Sequence, residues 1–207
     1  MGRRSDHSRE QLEELIIASG HALMAETGYA RFSAREVAKR IGYSIGTIYN
    51  VFGSLEALLL AINSRTFVLW AAWLREKLAV AGDDRIAALV AGYFDFAERN
   101  PNLWMAIYDH RQPPGTEMPE DYRRLRSGLT GIVETEIALV LPEDRRGEAP
   151  ALARSLVALV HGHCEFALNG TFALLGEEQP QAAALARVRE ALAAARTATG
   201  TPSPRSC

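Results

Sequence analysis

The chain has 207 residues, 48% of them apolar. That is enough to bury a core, and it excludes a polypeptide that is disordered throughout. The formal net charge of -2 argues against a protein that coats nucleic acid without regard to sequence.

Charge is unevenly placed along the chain. Residues 31 to 53 carry Arg31, Arg35, Lys39 and Arg40 against Glu36 alone, a net of +3 that leaves -5 for the remainder. A locally basic segment on an acidic body fits a small DNA-reading module on a carrier that does not bind DNA.

Taken in chain order, the apolar spacing predicts helices nearly throughout. Ser8 or Asp6 caps the first, which places Leu12, Leu15, Ile16 and Leu23 on one face and ends at Gly28. Ser33 opens the second, with Glu36 placed to complete a capping box, and Val37, Ala38 and Ile41 form its inner face. This helix stops at Gly42. Ser44 caps a third short helix from Ile45 to about Phe52, closed by Gly53. Ser54 then caps a long helix from Leu55 to about Val80. Asp83 and Asp84 start the next, and Pro101 fits the first turn of the one after. The segment from Arg111 to Gly115 reads as a loop. A helix follows from about Pro119 to Leu141, then a charged loop to Pro150. Two helices complete the chain, from about Ala151 to Leu175 and from Pro180 to about Thr197, before a tail at 200–207 expected to be disordered. The expected fold is all-α, with about nine helices, no strand and no internal repeat.

Cys164 and Cys207 make neither a disulfide framework nor a zinc-finger spacing, so a reducing, cytoplasmic setting is expected. The first residues hold no apolar run of the kind a signal peptide needs. The stretch from Leu55 to Leu74 contains Glu56, Asn63 and Arg65, and reads as a buried helix rather than a membrane span.

Two short helices joined by a glycine-containing turn suggest a helix-turn-helix. Val37, Ala38, Ile41, Ile48 and Phe52 supply the contacts that fix one helix on the other, and Ala38 is small enough for close approach. The second helix leads with Ser44, Gly46 and Thr47. Such short polar residues leave a helix end free to meet base edges and phosphates in a major groove. Asn50 lies one turn further on, and Tyr49 offers a ring for packing and a hydroxyl for phosphate.

The run FSAREVAKRIGYSIGTIYNVFGSLEALL, at 32–59, resembles the N-terminal domain of the TetR/AcrR family of repressors. The resemblance rests on Ala38, Gly42, Ser44, the core Gly46-Thr47-Ile48-Tyr49, Phe52 and the preceding Thr27-Gly28-Tyr29. It implies that Ser44, Ile45, Thr47 and Asn50 face bases, while Ser33, Arg35, Lys39, Tyr49 and Ser54 contact the backbone. One departure is Leu55, where many members carry a phosphate-binding lysine. Ser54 and the helix N-terminus still offer N–H groups there, and Arg35, Lys39, Arg3 and Arg4 are the residues that would compensate. Arg111-Gln-Pro-Pro and His161-Gly162 are similar to a C-terminal domain of the WHG type, although Val157 and Ala158 stand where a tryptophan is usual.

Aromatic residues cluster in the middle helices. They read either as helical core or as the lining of an apolar effector pocket, for which Phe67, Trp70, Phe94, Trp104, Tyr108, His161 and Phe166 are the candidates. His161 and His163 point about 200° apart on a helix and cannot share an ion. His161 with Cys164 or Glu165 would still need a ligand such as His110, so no metal and no cofactor is expected. The last two helices carry Leu152, Leu156, Leu159, Val160, Leu168, Ala184, Leu185, Val188 and Leu192. These faces either close an intramolecular core or, as the resemblance implies, pair two copies into a homodimer.

The organisation expected is a helix-turn-helix domain at 1–53 and an effector-binding, dimerising domain at 54–199. The partners expected are a double-stranded operator and a small apolar or aromatic effector, with no membrane and no catalysis. A helical metalloenzyme would need paired Glu-x-x-His motifs, which are absent. A degenerate helical interaction module is the other rival, and Leu55 is the feature that favours it.

Overall fold

The computed structural model describes residues 7–111, 115 and 117–197. Among the described residues every regular element is a helix. In chain order these are α1 (Arg9–Thr27), a 3-10 turn (Tyr29–Arg31), α2 (Ala34–Arg40), α3 (Ile45–Phe52), α4 (Leu55–Ala79), α5 (Arg85–Arg99) and α6 (Pro101–Asp109). They continue with α7 (Glu120–Val140), a 3-10 stretch (Glu143–Glu148), α8 (Ala149–Leu168), α9 (Thr171–Leu175) and α10 (Pro180–Thr197). Arg3, Arg4, the 200–207 tail and the middle of the Arg111–Gly115 loop lie outside the described residues.

Short polar side chains start the first five α-helices by capping free N–H groups. Ser8 and Gln11 form a complete capping box on α1. Ser44 Oγ accepts from Thr47 N at 3.2 Å, Ser54 Oγ from Ala57 N at 3.0 Å, and Asp84 Oδ1 from Ala87 N at 3.1 Å. Ser33 makes only half of the box expected of it. Its hydroxyl accepts from Glu36 N, but the Glu36 carboxylate turns to Lys39 at 3.8 Å and Arg40 at 3.7 Å instead of reaching back.

Three further expectations are corrected. The penultimate helix is two helices, because Asn169 ends α8 and Gly170, at φ +79°, breaks the path before α9. The α-helices among the described residues therefore number ten rather than nine. The charged segment at 143–148 is a 3-10 stretch rather than an open loop, and α8 begins at Ala149. Arg145 orders that stretch by donating to Glu148 at 2.6 Å and to the Ala195 carbonyl.

The chain divides into two compact units: Met1–Trp73 with Asp95–Leu129, and Leu74–Phe94 with Thr130–Cys207. The core of the first is built from Ile16, Leu23 and Met24 of α1, Val37 of α2, Ile48 of α3, and Leu58 and Ile62 of α4, with Leu103 and Ala106 of α6. Gly20 lets α4 come close to α1, since a Cβ there would stand 2.7 Å from Ile62 Cδ1. In the second unit α8 and α10 pack along each other through Ala149, Ala153, Leu156 and Val160 against Ala184, Val188 and Leu192, all buried.

Helix α4 is long and apolar enough to cross a membrane, yet more than half of its most apolar stretch is buried within the chain. Asn63 and Thr66 are among its buried residues.

Candidate nucleic-acid interface and effector site

Helix α2 ends in a Schellman motif. Tyr43 N donates to Ala38 O at 2.9 Å and Gly42 N to Lys39 O at 3.2 Å, with Gly42 at φ +73°. A left-handed residue is needed at that position, and glycine adopts it without a Cβ clash. The motif turns the chain so that α3 packs on α2 through Ile48, which is fully buried, and Val37 and Ala38.

This packing sorts the remaining side chains of α3. Ser44, Gly46, Tyr49 and Asn50 are exposed, while Ile45 and Thr47 are half-buried. Tyr49 is 43% exposed, a large apolar surface for a core residue to leave in water. The Ser44 hydroxyl caps the helix and also lies 3.1 Å from Thr47 Oγ1, so those two side chains hold each other at the leading end of α3.

The basic residues of this region are not equivalent. Arg40 is bound to Glu26 through two hydrogen bonds of 2.9 and 2.7 Å, which hold that carboxyl below its ordinary range. Lys39 is 80% exposed, with Glu36 as a distant ion-pair partner, and Arg35 is exposed. Ser33, Arg35, Ile45 and Tyr49 line one cleft of about 280 Å³, and Leu55 forms part of its wall. Four of the nine DNA-contact candidates thus surround one concave site. Leu55, the departure from the usual lysine, stands within it. Ser54 is half-buried, its hydroxyl engaged as the cap of α4.

The seven effector-pocket candidates do not form a single lining. Phe67 packs edge-on against Tyr122 at 5.3 Å, and Trp70 stacks on Phe96 at 4.9 Å with the rings 3° from parallel. Trp104 is completely buried and meets Tyr108 edge-on at 5.7 Å. Phe94 is buried in the second unit, and Phe166 is 41% exposed against Phe172. His161 accepts or donates at Nδ1 to the Tyr93 hydroxyl at 3.0 Å, with Glu165 3.7 Å from its other nitrogen. Burial lowers the pKa of His161 and outweighs the opposing pull of Glu165, which favours the neutral ring.

The second unit holds a cavity of about 40 Å³ walled by aliphatic side chains of α5, α7, α8 and α10 together with Tyr93, and none of the seven candidates is in its wall. Sequence reasoning followed the aromatics, whereas this site is built from valine, leucine and isoleucine. The signal available was Tyr93 among the aliphatic positions of α5. His163 instead pairs Nδ1 with the Leu159 carbonyl at 2.9 Å. Among the described residues no cluster of three His, Cys, Asp or Glu side chains is placed to hold a metal.

A second cleft of the same unit, about 340 Å³, is lined by Arg75, Arg85, Thr135 and Glu136 over Leu78 and Ile132. Glu136 is 6% exposed and is gripped by Arg85 through hydrogen bonds of 2.6 and 2.7 Å. Sequence reasoning missed this group. Its signal was a lone carboxylate in the apolar stripe of Ile132, Val133, Ile137 and Val140.

Comparison with known proteins places both parts of the chain in one family. Residues 16–62 match the model for bacterial regulatory proteins of the tetR family, and residues 86–192 match that for the tetracyclin repressor-like C-terminal domain. The C-terminal match is to that model, and the WHG type remains a resemblance read from the sequence. A candidate transcriptional regulator of Streptomyces coelicolor A3(2), SCO7518, is 26% identical with a TM-score of 0.60 over 92% of this chain and 99% of that one. The nucleoid occlusion factor SlmA of Mannheimia succiniciproducens is 27% identical over 106 residues, 49% of this chain. A component of an ATP-dependent helicase/nuclease of Bacillus pumilus is 25% identical over 175 residues, 78% of this chain. The chain spans 48% and 14% of the lengths of these two curated relatives.

Proposed function

The chain belongs to the tetR family of bacterial regulatory proteins, DNA-binding transcriptional regulators, and on that premise we propose that it is a cytoplasmic repressor released from its operator by a small-molecule effector. The observation that carries this reading is the solvent-facing side of α3, with Tyr49 and Asn50 exposed beside a cleft bearing Arg35 and Ser33. Residues 1–53 form the reading head in this proposal, and 54–199 the effector-binding and dimerising body. Ser44, Ile45, Thr47 and Asn50 meet base edges. Ser33, Arg35, Lys39, Tyr49 and Ser54 fix the head on the phosphates, as a helix-turn-helix requires.

The partner in the dimer is a second copy of the chain, joined through α8 and α10. Leu156, Val160, Ala184, Val188 and Leu192 already serve the intramolecular core. The contact therefore falls to the half-buried Leu152, Leu159 and Leu185, and to the exposed Leu168. A two-fold axis would set two copies of α3 about 34 Å apart, one turn of a near-palindromic operator.

The effector site is the aliphatic cavity of the second unit. At about 40 Å³ it is far smaller than a ligand site of several hundred Å³. An effector must therefore part the helices that wall it, and differential affinity for the parted state supplies the switch.

Fluorescence anisotropy with DNA flanking the protein's own gene, against scrambled DNA and over a salt series, tests the reading. Specific binding with a log-log salt slope of roughly -5, for about six phosphate contacts, is expected. Thr47→Ala and Tyr49→Ala should weaken it. Equal affinity for operator and scrambled DNA in a genome-fragment selection would reject the regulator assignment for these residues. An effector that binds the body without changing operator affinity would reject release.

A further inference from the structure

The cleft beside the aliphatic cavity has a built cationic wall. Arg85 donates from Nε and Nη2 to the two oxygens of buried Glu136, and from Nη1 to the Leu78 carbonyl at 3.0 Å. Three of the five N–H groups of a guanidinium are thereby committed, and the fork is locked in place by a carboxylate and a backbone oxygen. The hydrogen bonds to Glu136 also raise the Arg85 pKa, so the charge is permanent. Arg75 shares the wall, is exposed, and makes no hydrogen bond or ion pair among the described residues. Two guanidiniums against one carboxylate leave the cleft with a net positive charge over an apolar floor of Leu78 and Ile132.

The cleft and the cavity are neighbours along the same two helices. Arg85, Ile132 and Glu136 line the cleft, while the next residue in each case, Ile86, Val133 and Ile137, lines the cavity. A molecule that entered between α5 and α7 would meet fixed positive charge on one side and aliphatic surface on the other.

We infer that the cleft is the head-group subsite of the effector site, where Arg75 and Arg85 take the carboxylate of a small amphipathic acid whose hydrocarbon chain enters the aliphatic cavity. This rests on the effector reading above and names the chemical class of the effector. Arg85 is pre-organised by Glu136, which acts as a positioning residue. Arg75 is the free fork that closes on the bound anion, a geometry suited to bidentate pairing with a carboxylate.

Calorimetric titration of the full chain with octanoate, 1-octanol and inorganic phosphate tests this. Octanoate should bind saturably, and 1-octanol at least tenfold more weakly, because a charge-assisted pair is lost. Arg75→Gln should weaken octanoate about tenfold and leave 1-octanol unchanged, and Arg75→Lys should recover part of the loss. Arg75 is exposed, so neither variant threatens folding, and circular dichroism checks this. Equal binding of octanoate and 1-octanol, indifference of octanoate to Arg75→Gln, or no saturable octanoate binding overturns the inference. Phosphate binding as tightly as octanoate overturns the amphipathic class. Repeating the titration with operator DNA present separates the two proposals. Arg75-dependent octanoate binding with unchanged operator affinity overturns effector release and leaves the head-group subsite standing.

Discussion

The segment α1–α3 and the α8–α10 segment are both small helical assemblies, but they use their surfaces differently. In α1–α3 each helix has one buried stripe, and the opposite side is left to solvent. Ile48 is wholly buried while Tyr49 and Asn50, its neighbours, are exposed. Along α8 and α9 apolar residues also lie outside the buried contact with α10. Leu156 and Val188 are buried, yet Phe166 and Leu168 on α8 and Leu174 and Leu175 on α9 remain 40% to 90% exposed. A single stripe with a polar reverse side is the pattern of a self-contained module that meets a polar partner. Apolar surface beyond the internal core is the surface on which the proposed dimer contact rests.

The contrast can be broken most strongly at Ile48. Ile48→Ala removes a fully buried side chain from the α2–α3 contact and should cost about 3 kcal/mol, read as a lower urea midpoint with operator binding lost in parallel. The same truncation at Leu168, which is 40% exposed, should leave chain stability nearly unchanged and shift the monomer–dimer equilibrium in sedimentation. Equal destabilisation at the two sites would erase the distinction between the regions.

Histidine titration sharpens it further. Burial, aided by Arg65, lowers the His21 pKa from 6.5 to about 4. The unfolded ring takes a proton near 6.5 and the folded ring resists it. The stabilisation is therefore complete above about pH 6.5 and is lost as pH falls toward 4. Allowing for the ring's partial exposure, roughly 2 kcal/mol is at stake. Thermal melts between pH 7 and 4 should show the decline, and His21→Phe should flatten it. His110 and His161 are shifted in the same direction, also by burial, so some slope should persist in the variant.

Smaller effects are expected at the DNA face. Thr47→Ala should reduce operator affinity about tenfold, since one base-edge contact is worth roughly 1–3 kcal/mol of discrimination, with stability unchanged because the Ser44 cap on Thr47 N is retained. The smallest expected change is a gain. Leu55→Lys places a cation in the cleft that Ser33, Arg35 and Tyr49 line, and should steepen the salt slope by about one. An unchanged slope would mean that the cleft does not hold a phosphate.

Legibility in the sequence followed the range of the interactions. The caps at Ser8, Ser44, Ser54 and Asp84 and the turn at Gly42 were readable because each depends on residues within five positions of one another. Ser33 looked like an equal case, but its partner Glu36 had a choice of cations one turn away and took it. The break at Gly170 was missed because apolar periodicity runs across it, while the backbone there is left-handed. The aromatic candidates scattered because a ring at helical spacing packs equally well against another ring, as Trp70 does on Phe96, or against a cavity.

By itself the sequence determined an all-helical chain and the place of the helix-turn-helix. These follow from local capping, glycine conformation and the 3.6-residue period, all of which act within a few turns of one helix. Only the tertiary structure decided which cations were free, which apolar faces were already buried and where a cavity lay. Arg40 is tied to Glu26, fourteen residues away, and Arg85 to Glu136, fifty-one away. Such pairings depend on how separate helices are brought together, and the spacing of residues along one helix carries no record of that.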